Sequence, residues 1–287
     1  MNTVVFILSG GSGIRLRPLS TEEKPKQFLP IGINGKSFFR MTVDRALKLT
    51  DAEHIYVLTH EMYIDFVKEH APFISDENII AEPCRRNTAP AIAAAAMKIK
   101  KAYGNPVITV LPADHFIKNE EQFMLSVTDA VRNAQNNNSV VMLGLSPTRP
   151  DTSFGYIKCG KKTADNVYST TAFFEKPDSI RAMEFIEDGQ YFWNSGIFAV
   201  KAETVLGQFK KHLPEVYSLA EKIAESADRH ESDSIYNKMP NVSVDYGILE
   251  KTEDILMVRG DFGWDDIGSW EALDRLGMDA KIRNSEV

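Results

Sequence analysis

Val4-Val5-Phe6-Ile7-Leu8-Ser9-Gly10-Gly11-Ser12-Gly13-Ile14-Arg15-Leu16 joins a five-residue apolar run to a cluster of glycines. The run is too short for a helix and has no polar alternation, so it reads as a strand buried on both faces. Glycine lacks a Cβ and reaches positive φ without penalty, which lets backbone N–H groups approach an anion closely. A dinucleotide fingerprint requires a third glycine where Leu16 stands. A Walker A loop requires Gly-Lys-Ser/Thr where the chain has Ile14-Arg15-Leu16. Both motifs are excluded, and the residues by themselves describe either an anion cradle or a tight strand-to-helix turn.

Outward from this loop, short apolar runs alternate with amphipathic stretches. Strands are expected at 55–59, 78–81 and 107–111, and helices at 38–49, 61–70, 89–103 and 120–135. That alternation predicts βαβ units, a mostly parallel sheet and helices on both of its faces. The second half is less regular, with strands expected at 139–145, 172–174 and 196–200 and helices at 180–188 and 214–226. No Pro- or Ser-rich linker interrupts the chain. The expectation is a single domain over 1–287, with a nucleotide-binding lobe to about residue 145 and a sugar-phosphate lobe from about 146 onward.

The chain has 287 residues, 43% hydrophobic and 25% charged, which provides for a sizeable core and excludes global disorder. A net charge of −7 argues against nucleic acid or an anionic membrane as partner. Any phosphate must then be met by local cations. Cys84 and Cys159 form no disulfide or zinc pattern and read as reduced thiols of a cytoplasmic protein. The first apolar run is too short for a signal sequence or a membrane span.

Downstream, Pro25-Lys26-Gln27-Phe28-Leu29-Pro30 presents a lysine from a stiff, extended segment, since proline restricts its own φ and its neighbour's backbone. Together with Gly10-Gly11-Ser12-Gly13-Ile14-Arg15-Leu16-Arg17-Pro18-Leu19, this resembles the sugar-nucleotide pyrophosphorylase family, whose members carry a GGxGxRLxPL…PK pattern. Gln27-Phe28-Leu29 is similar to its mannose-1-phosphate guanylyltransferase branch. Ile14 departs from the polar residue usual in the family, which leaves backbone rather than side-chain contacts at that position.

Glu82-Pro83-Cys84-Arg85-Arg86-Asn87-Thr88-Ala89-Pro90 leads from a strand into an alanine-rich helix. By residue chemistry it is a helix entry, with Thr88 as N-cap and Pro90 in the first turn. It also resembles the branch's EPxxRNTAP motif, which implies that Glu82, Arg86, Asn87 and Thr88 join Leu8, Gly10, Gly11 and Gly13 around the nucleotide. Asp114, in Leu111-Pro112-Ala113-Asp114-His115, ends an apolar strand, where a carboxylate serves either as a turn former or as a ligand for a hard cation. Trp264-Asp265-Asp266-Ile267-Gly268-Ser269-Trp270 resembles the branch's WxDIGSW motif and implies Asp266 as a second ligand for Mg²⁺, with Asp265 the neighbour most easily confused with it. His115 is expected to be a supporting group outside the chemistry.

Three further segments match the family in order and spacing. Phe154-Gly155-Tyr156-Ile157 offers a backbone surface for a hexose, Glu175-Lys176-Pro177 an acid beside a base, and Trp193-Asn194-Ser195 an amide beside aromatics. The resemblance implies Gly155, Tyr156, Glu175 and Asn194 on the sugar and Lys176 on its phosphate. Val244-Asp245-Tyr246 is similar to a DYxxxEK segment, with Asp245 either on the sugar or capping a helical turn.

The implied fold is a Rossmann-like α/β nucleotidyltransferase (GT-A-like) with a mixed, mostly parallel sheet flanked by helices. The implied reaction joins GTP and mannose 1-phosphate to give GDP-mannose and pyrophosphate, with Arg15, Lys26 and Asp114 as catalytic residues. A different sugar 1-phosphate, of heptose or glucose type, and a non-catalytic GDP-sugar-binding protein are the alternatives. A homodimer is left open. Because the chain ends about twenty residues after Asp266, its length is expected to hold one catalytic domain and little else.

Overall fold

The computed structural model describes residues 3–11, 13 and 16–278. In chain order the elements are β1 (Thr3–Leu8), α1 (Phe38–Ala46), β2 (Ile55–His60), α2 (Ile64–His70), β3 (Ile79–Glu82), α3 (Thr88–Tyr103) and β4 (Val107–Pro112). They continue through β5 (Phe116–Ile117), α4 (Glu120–Asn136), β6 (Val140–Leu145), β7 (Tyr156–Ala164), β8 (Val167–Phe174), α5 (Ser179–Asp188) and β9 (Tyr191–Lys201). The remaining ones are α6 (Ala202–His212), α7 (Pro214–Glu225), α8 (Arg229–Tyr236), α9 (Val244–Gly247), β10 (Ile255–Gly260), β11 (Trp264–Asp265) and α10 (Trp270–Arg275).

Among the described residues nine strands make one sheet in the order β3-β2-β1-β4-β9-β6-β10-β8-β7. The β3-β2-β1-β4 portion is parallel, as the alternation of short apolar runs and helices requires. β9 then runs antiparallel to both β4 and β6, and its first residues also pair with β7. The sheet is therefore mixed, as expected for this α/β class.

The unbroken apolar character of β1 follows from its position. Val5 and Ile7 pack on one face with Phe39, Val43, Phe123 and Val127. Val4 and Phe6 pack on the other with Ile92, Ile99, Val205 and Phe209. Both faces are buried, so no polar alternation survives. Among the described residues no helix is long and apolar enough to cross a membrane.

β5, β7, β11, α6, α8, α9 and α10 are not among the expected elements, and β8 begins at Val167 rather than 172; three further differences are instructive. β9 starts at Tyr191 rather than 196, because Tyr191-Phe192-Trp193-Asn194-Ser195 is buried throughout and has no period-2 pattern. β10 lies between charged segments that mask six strand residues. The cap of α3 is Asn87 rather than Thr88: its side chain accepts from Thr88 N–H at 2.9 Å, while Thr88 Oγ1 accepts from Val244 N–H at 2.8 Å.

Candidate active site

A cavity of about 470 Å³ opens at the carboxyl ends of β1, β2, β3 and β4. Ligands of open α/β sheets bind at this edge, where strands hand over to loops and helix N-termini. Its lining brings together Leu8, Gly10, Gly11, Glu82, Asn87, Thr88, Asp114 and Asp245, all expected from the sequence. Gln27, His60, Arg85 and Asn241 join them.

The glycine loop is held from outside itself. Gln27 Nε2 donates to Ser9 O at 3.1 Å and to Gly11 O at 3.0 Å, and Thr59 Oγ1 donates to Ser9 O at 3.0 Å. Gly13 has φ +63°, and a Cβ there would lie 2.7 Å from the Lys26 backbone nitrogen, so no larger residue fits. Arg15 lies outside the described residues. Gly13 and Lys26 stand behind the cavity wall rather than on it.

Lys26 is 5% exposed. Its ammonium lies 2.8 Å from Asp114 Oδ2 and donates to Asp266 O at 2.7 Å and Ile267 O at 3.1 Å. One lysine thus gathers both expected acidic segments, although Asp266 meets it through its backbone carbonyl. The Asp266 carboxylate accepts from Gly268 N–H at 3.0 Å. Burial works to raise the pKa of Asp114, but Lys26 and His115 outweigh it and hold the carboxyl below the usual range. Asp265 is committed elsewhere: it is 4% exposed and accepts from Arg275 at 2.9 Å and Ile267 N–H at 3.0 Å.

His115 has the supporting place expected of it. Trp264 Nε1–H donates to its Nδ1 at 3.1 Å, and burial pushes its pKa down to about 4, so the ring is neutral at pH 7.

Glu82 is buried at the cavity wall and accepts from the Tyr236 hydroxyl at 2.5 Å. Burial raises its pKa to about 7 despite that hydrogen bond. Asn87 has φ +66° and ψ −171°, a backbone conformation that non-glycine residues rarely adopt. Arg86 turns away from the cavity and donates to Asn237 O at 2.5 Å. Arg85 reaches it instead, bound to Glu22 and, at 2.8 Å, to the Tyr63 hydroxyl.

The second group of expected residues assembles beside the cavity around Asp245. Asn194 Nδ2 donates to Asp245 Oδ1 at 2.9 Å, and Asn194 N–H donates to Gly155 O at 2.7 Å. A Cβ on Gly155 would lie 2.6 Å from Glu175 Oε2 and 3.2 Å from Asn194 Cβ, so the glycine permits the close approach. Lys176 pairs with Glu175 at 2.6 Å while remaining half exposed. Burial raises the pKa values of Glu175 and Asp245, and the Asp245 charge adds to the effect on Glu175. Burial opposes the charge on Lys176, but Glu175 and Asp245 outweigh it and raise its pKa. Tyr156 is the exception: it is fully buried, and its hydroxyl is used by the Asp151 backbone at 3.0 Å.

Sequence reading missed Gln27 and Arg85 as cavity residues although both sit inside the quoted motifs. His60 follows an apolar strand at the same sheet edge as Asp114, a signal that parallel topology supplies. Asn241 carries no such signal.

The chain is similar to a mannose-1-phosphate guanylyltransferase of Escherichia coli, 37% identical over 287 residues that cover 96% of this chain and 61% of the relative. It is likewise similar to the mannose-1-phosphate guanylyltransferase RfbM of Salmonella typhimurium, 37% identical over 95% of this chain and 58% of that one. The chain thus spans about three fifths of the length of the curated relatives it matches. A solved structure from Thermus thermophilus, described as a mannose-1-phosphate geranyltransferase, superposes with a TM-score of 0.89 at 34% identity, covering 96% of this chain and 79% of that one. The family model described as nucleotidyl transferase matches residues 4–281, and the chain belongs to that family.

Proposed function

We propose that the chain transfers a guanylyl group from GTP to mannose 1-phosphate. An oxygen of the sugar phosphate forms a bond to the α-phosphorus of GTP, the bond to the β-phosphate bridging oxygen breaks, and GDP-mannose and pyrophosphate result. The observation that carries this reading is the cavity itself: a glycine loop, a buried Glu82, an anionic Asp114 and Asp245 line it together. Names of the relatives at 37% identity support the choice of base and sugar.

The attacking phosphate is already an anion, so the reaction requires positioning and charge neutralisation more than a general base. In this reading the backbone of Leu8, Gly10 and Gly11 faces the nucleotide phosphates, Gly13 turns the loop behind them at φ +63°, and Arg15 is assigned to the phosphates by its place in the motif. Glu82, Asn87 and Thr88 shape the base pocket, with Arg85 in the place expected of Arg86. Glu175, Asn194, Gly155 and Asp245 meet the hexose hydroxyls, Tyr156 supports them from below, and the half-exposed Lys176 meets the sugar phosphate. Lys26 neutralises charge at the reacting phosphates.

Asp114 and Asp266 offer hard oxygen donors, and a cation, the Lys26 ammonium, is already held at 2.8 Å from Asp114. That donor chemistry fits Mg²⁺, which takes few protein carboxylates and completes its shell with water and phosphate oxygens. When bound, the ion supplies neutralisation of phosphate charge.

Steady-state pyrophosphate release across GTP, UTP and dTTP, each with mannose, glucose and heptose 1-phosphates, tests base and sugar together. The expected result is the highest kcat/KM for GTP with mannose 1-phosphate. Preference for another pair reassigns the substrate, and GDP-mannose binding without any turnover overturns the enzymatic reading.

A further inference from the structure

β3 is the edge strand of the sheet, and behind it a second cavity of about 360 Å³ opens between β3, α3, α7 and α8. Ile79, Ile80, Ala94 and Ile223 give it an apolar side. Lys98, Lys101 and Arg229 give it cations, against Asp233 as the only carboxylate in its lining among the described residues. Glu61 and Glu77 lie near Arg229 and Lys98 without entering the lining, so among the described residues the two lysines are the cations that no carboxylate of the lining faces.

The two lysines are held by neutral oxygens. Lys98 Nζ donates to Glu77 O at 2.6 Å and Lys101 Nζ to Ala224 O at 3.0 Å. Burial lowers the pKa of Lys98, and the nearby Glu77 side chain does not make up the difference. Arg229 divides its guanidinium between Asp233 at 3.1 Å, Ala81 O at 3.3 Å and Glu61 at 3.7 Å. A main-chain carbonyl orients an ammonium without cancelling its charge, so the lysines remain available to an anion.

Three elements join this cavity to the one described above. α3 contributes Thr88 and Ala91 to the first and Ala94, Lys98 and Lys101 to the second. β3 runs from Ile79 in the second to Glu82 in the first. α8 presents Ser232 and Asp233 to the second cavity, and Tyr236, four and three residues further along and therefore on the same helix face, donates to Glu82.

We propose that this second cavity binds a phosphate monoester carried on a ring, of the nucleoside monophosphate class, and that its occupancy is transmitted through the Glu82–Tyr236 contact. A monoester carries between one and two negative charges near pH 7, which matches the two lysines held by carbonyl oxygens, and the face of a ring matches the isoleucines. Its kinetic consequence rests on the guanylyl-transfer reading, whereas binding does not.

The test is calorimetric titration of the intact chain with AMP, ribose 5-phosphate and inorganic phosphate. It is repeated on the Lys98→Met/Lys101→Met double variant and on Ser232→Glu, all exposed or half-exposed positions whose folding is checked by circular dichroism. AMP is expected to bind more tightly than inorganic phosphate, and both variants to weaken it by about tenfold or more through lost charge-assisted contacts or added repulsion. In pyrophosphate release, AMP is expected to change the KM for GTP in the wild type and not in the variants. Undiminished AMP binding in both variants, an equal KM shift in them, inorganic phosphate binding as tightly as AMP, or no binding of any probe at about 5 mM each overturns the proposal. A chain with no transferase activity leaves the titration intact, so the two readings fail separately.

Discussion

Lys26 is surrounded by oxygen: one carboxylate and two carbonyls lie within 3.1 Å of its nitrogen. A compact ammonium suits such a nest, and a planar guanidinium does not. Lys26→Met is expected to lower turnover by about 10²- to 10³-fold, in the range found for removing one preorganised charge-stabilising group. Lys26→Arg should fail to restore it, and circular dichroism should show both variants folded. Glu82 makes a prediction about stability. Its carboxyl titrates near 4.5 when unfolded and about 7 when folded, because burial disfavours the anion. A raised folded pKa contributes stability that is fully present below the unfolded value and is lost as pH rises through the folded one. The wild type should therefore lose on the order of 3 kcal/mol relative to Glu82→Gln between about pH 4 and pH 8 in denaturant titrations. Motif residues such as Asp114 and Glu82 were legible because each follows an apolar strand. The roles of Gln27 and Asp265 were not, since only the tertiary structure shows which amide braces the loop and which of two adjacent aspartates is consumed by Arg275.

At the level of elements, the entry to α3 combines a cap with an unfavourable backbone conformation. Asn87→Gly trades a side-chain cap worth a few tenths of a kcal/mol against relief of strain worth about 1 to 3, less the greater chain entropy of glycine. Stability is expected to rise by up to about 1 kcal/mol in denaturant titrations, while the KM for GTP rises roughly tenfold as the loop loses its fixed position. On the approach to β7, Gly155→Ala would drive a methyl group against Glu175 and Asn194. The expected outcome is a KM for mannose 1-phosphate about tenfold higher with the KM for GTP changed by less than about twofold, measured with each substrate varied in turn. The first strands and α3 were readable because glycine, proline and alternation mark their limits. α6, α8 and β10 were not, because their polar faces or charged flanks hide the apolar positions that tertiary packing selects.

For the molecule as a whole, β9 is the link between halves. It pairs with β4 from the parallel portion and with β6 and β7 from the other. Unfolding of either half removes a partner of the same strand, so one cooperative transition is expected. Trp193 lies in β9 itself, and Trp264 and Trp270 donate to His115 and to Arg17 O of the first half, so indole fluorescence reports on the joint between the halves, whereas far-ultraviolet circular dichroism reports on the entire chain. Denaturant curves from the two signals should coincide, and separate midpoints would show two independently folding units. Alternating strands and helices made the parallel half legible from sequence, but nothing local in Tyr191–Lys201 indicates that it runs against its neighbours.

The contacts of Lys26 also set a timetable. Its carbonyl partners lie 240 and 241 positions along the chain. During synthesis the N-terminal strands emerge first and can pair early. The ammonium must then wait until the 240 residues that follow it have left the ribosome before Asp266 and Ile267 can arrive. A nascent chain can thus own most of its sheet while the oxygen nest of Lys26 is still open on one side, and the nest is completed only after β10 and β11 have emerged, when two distant segments close on one nitrogen.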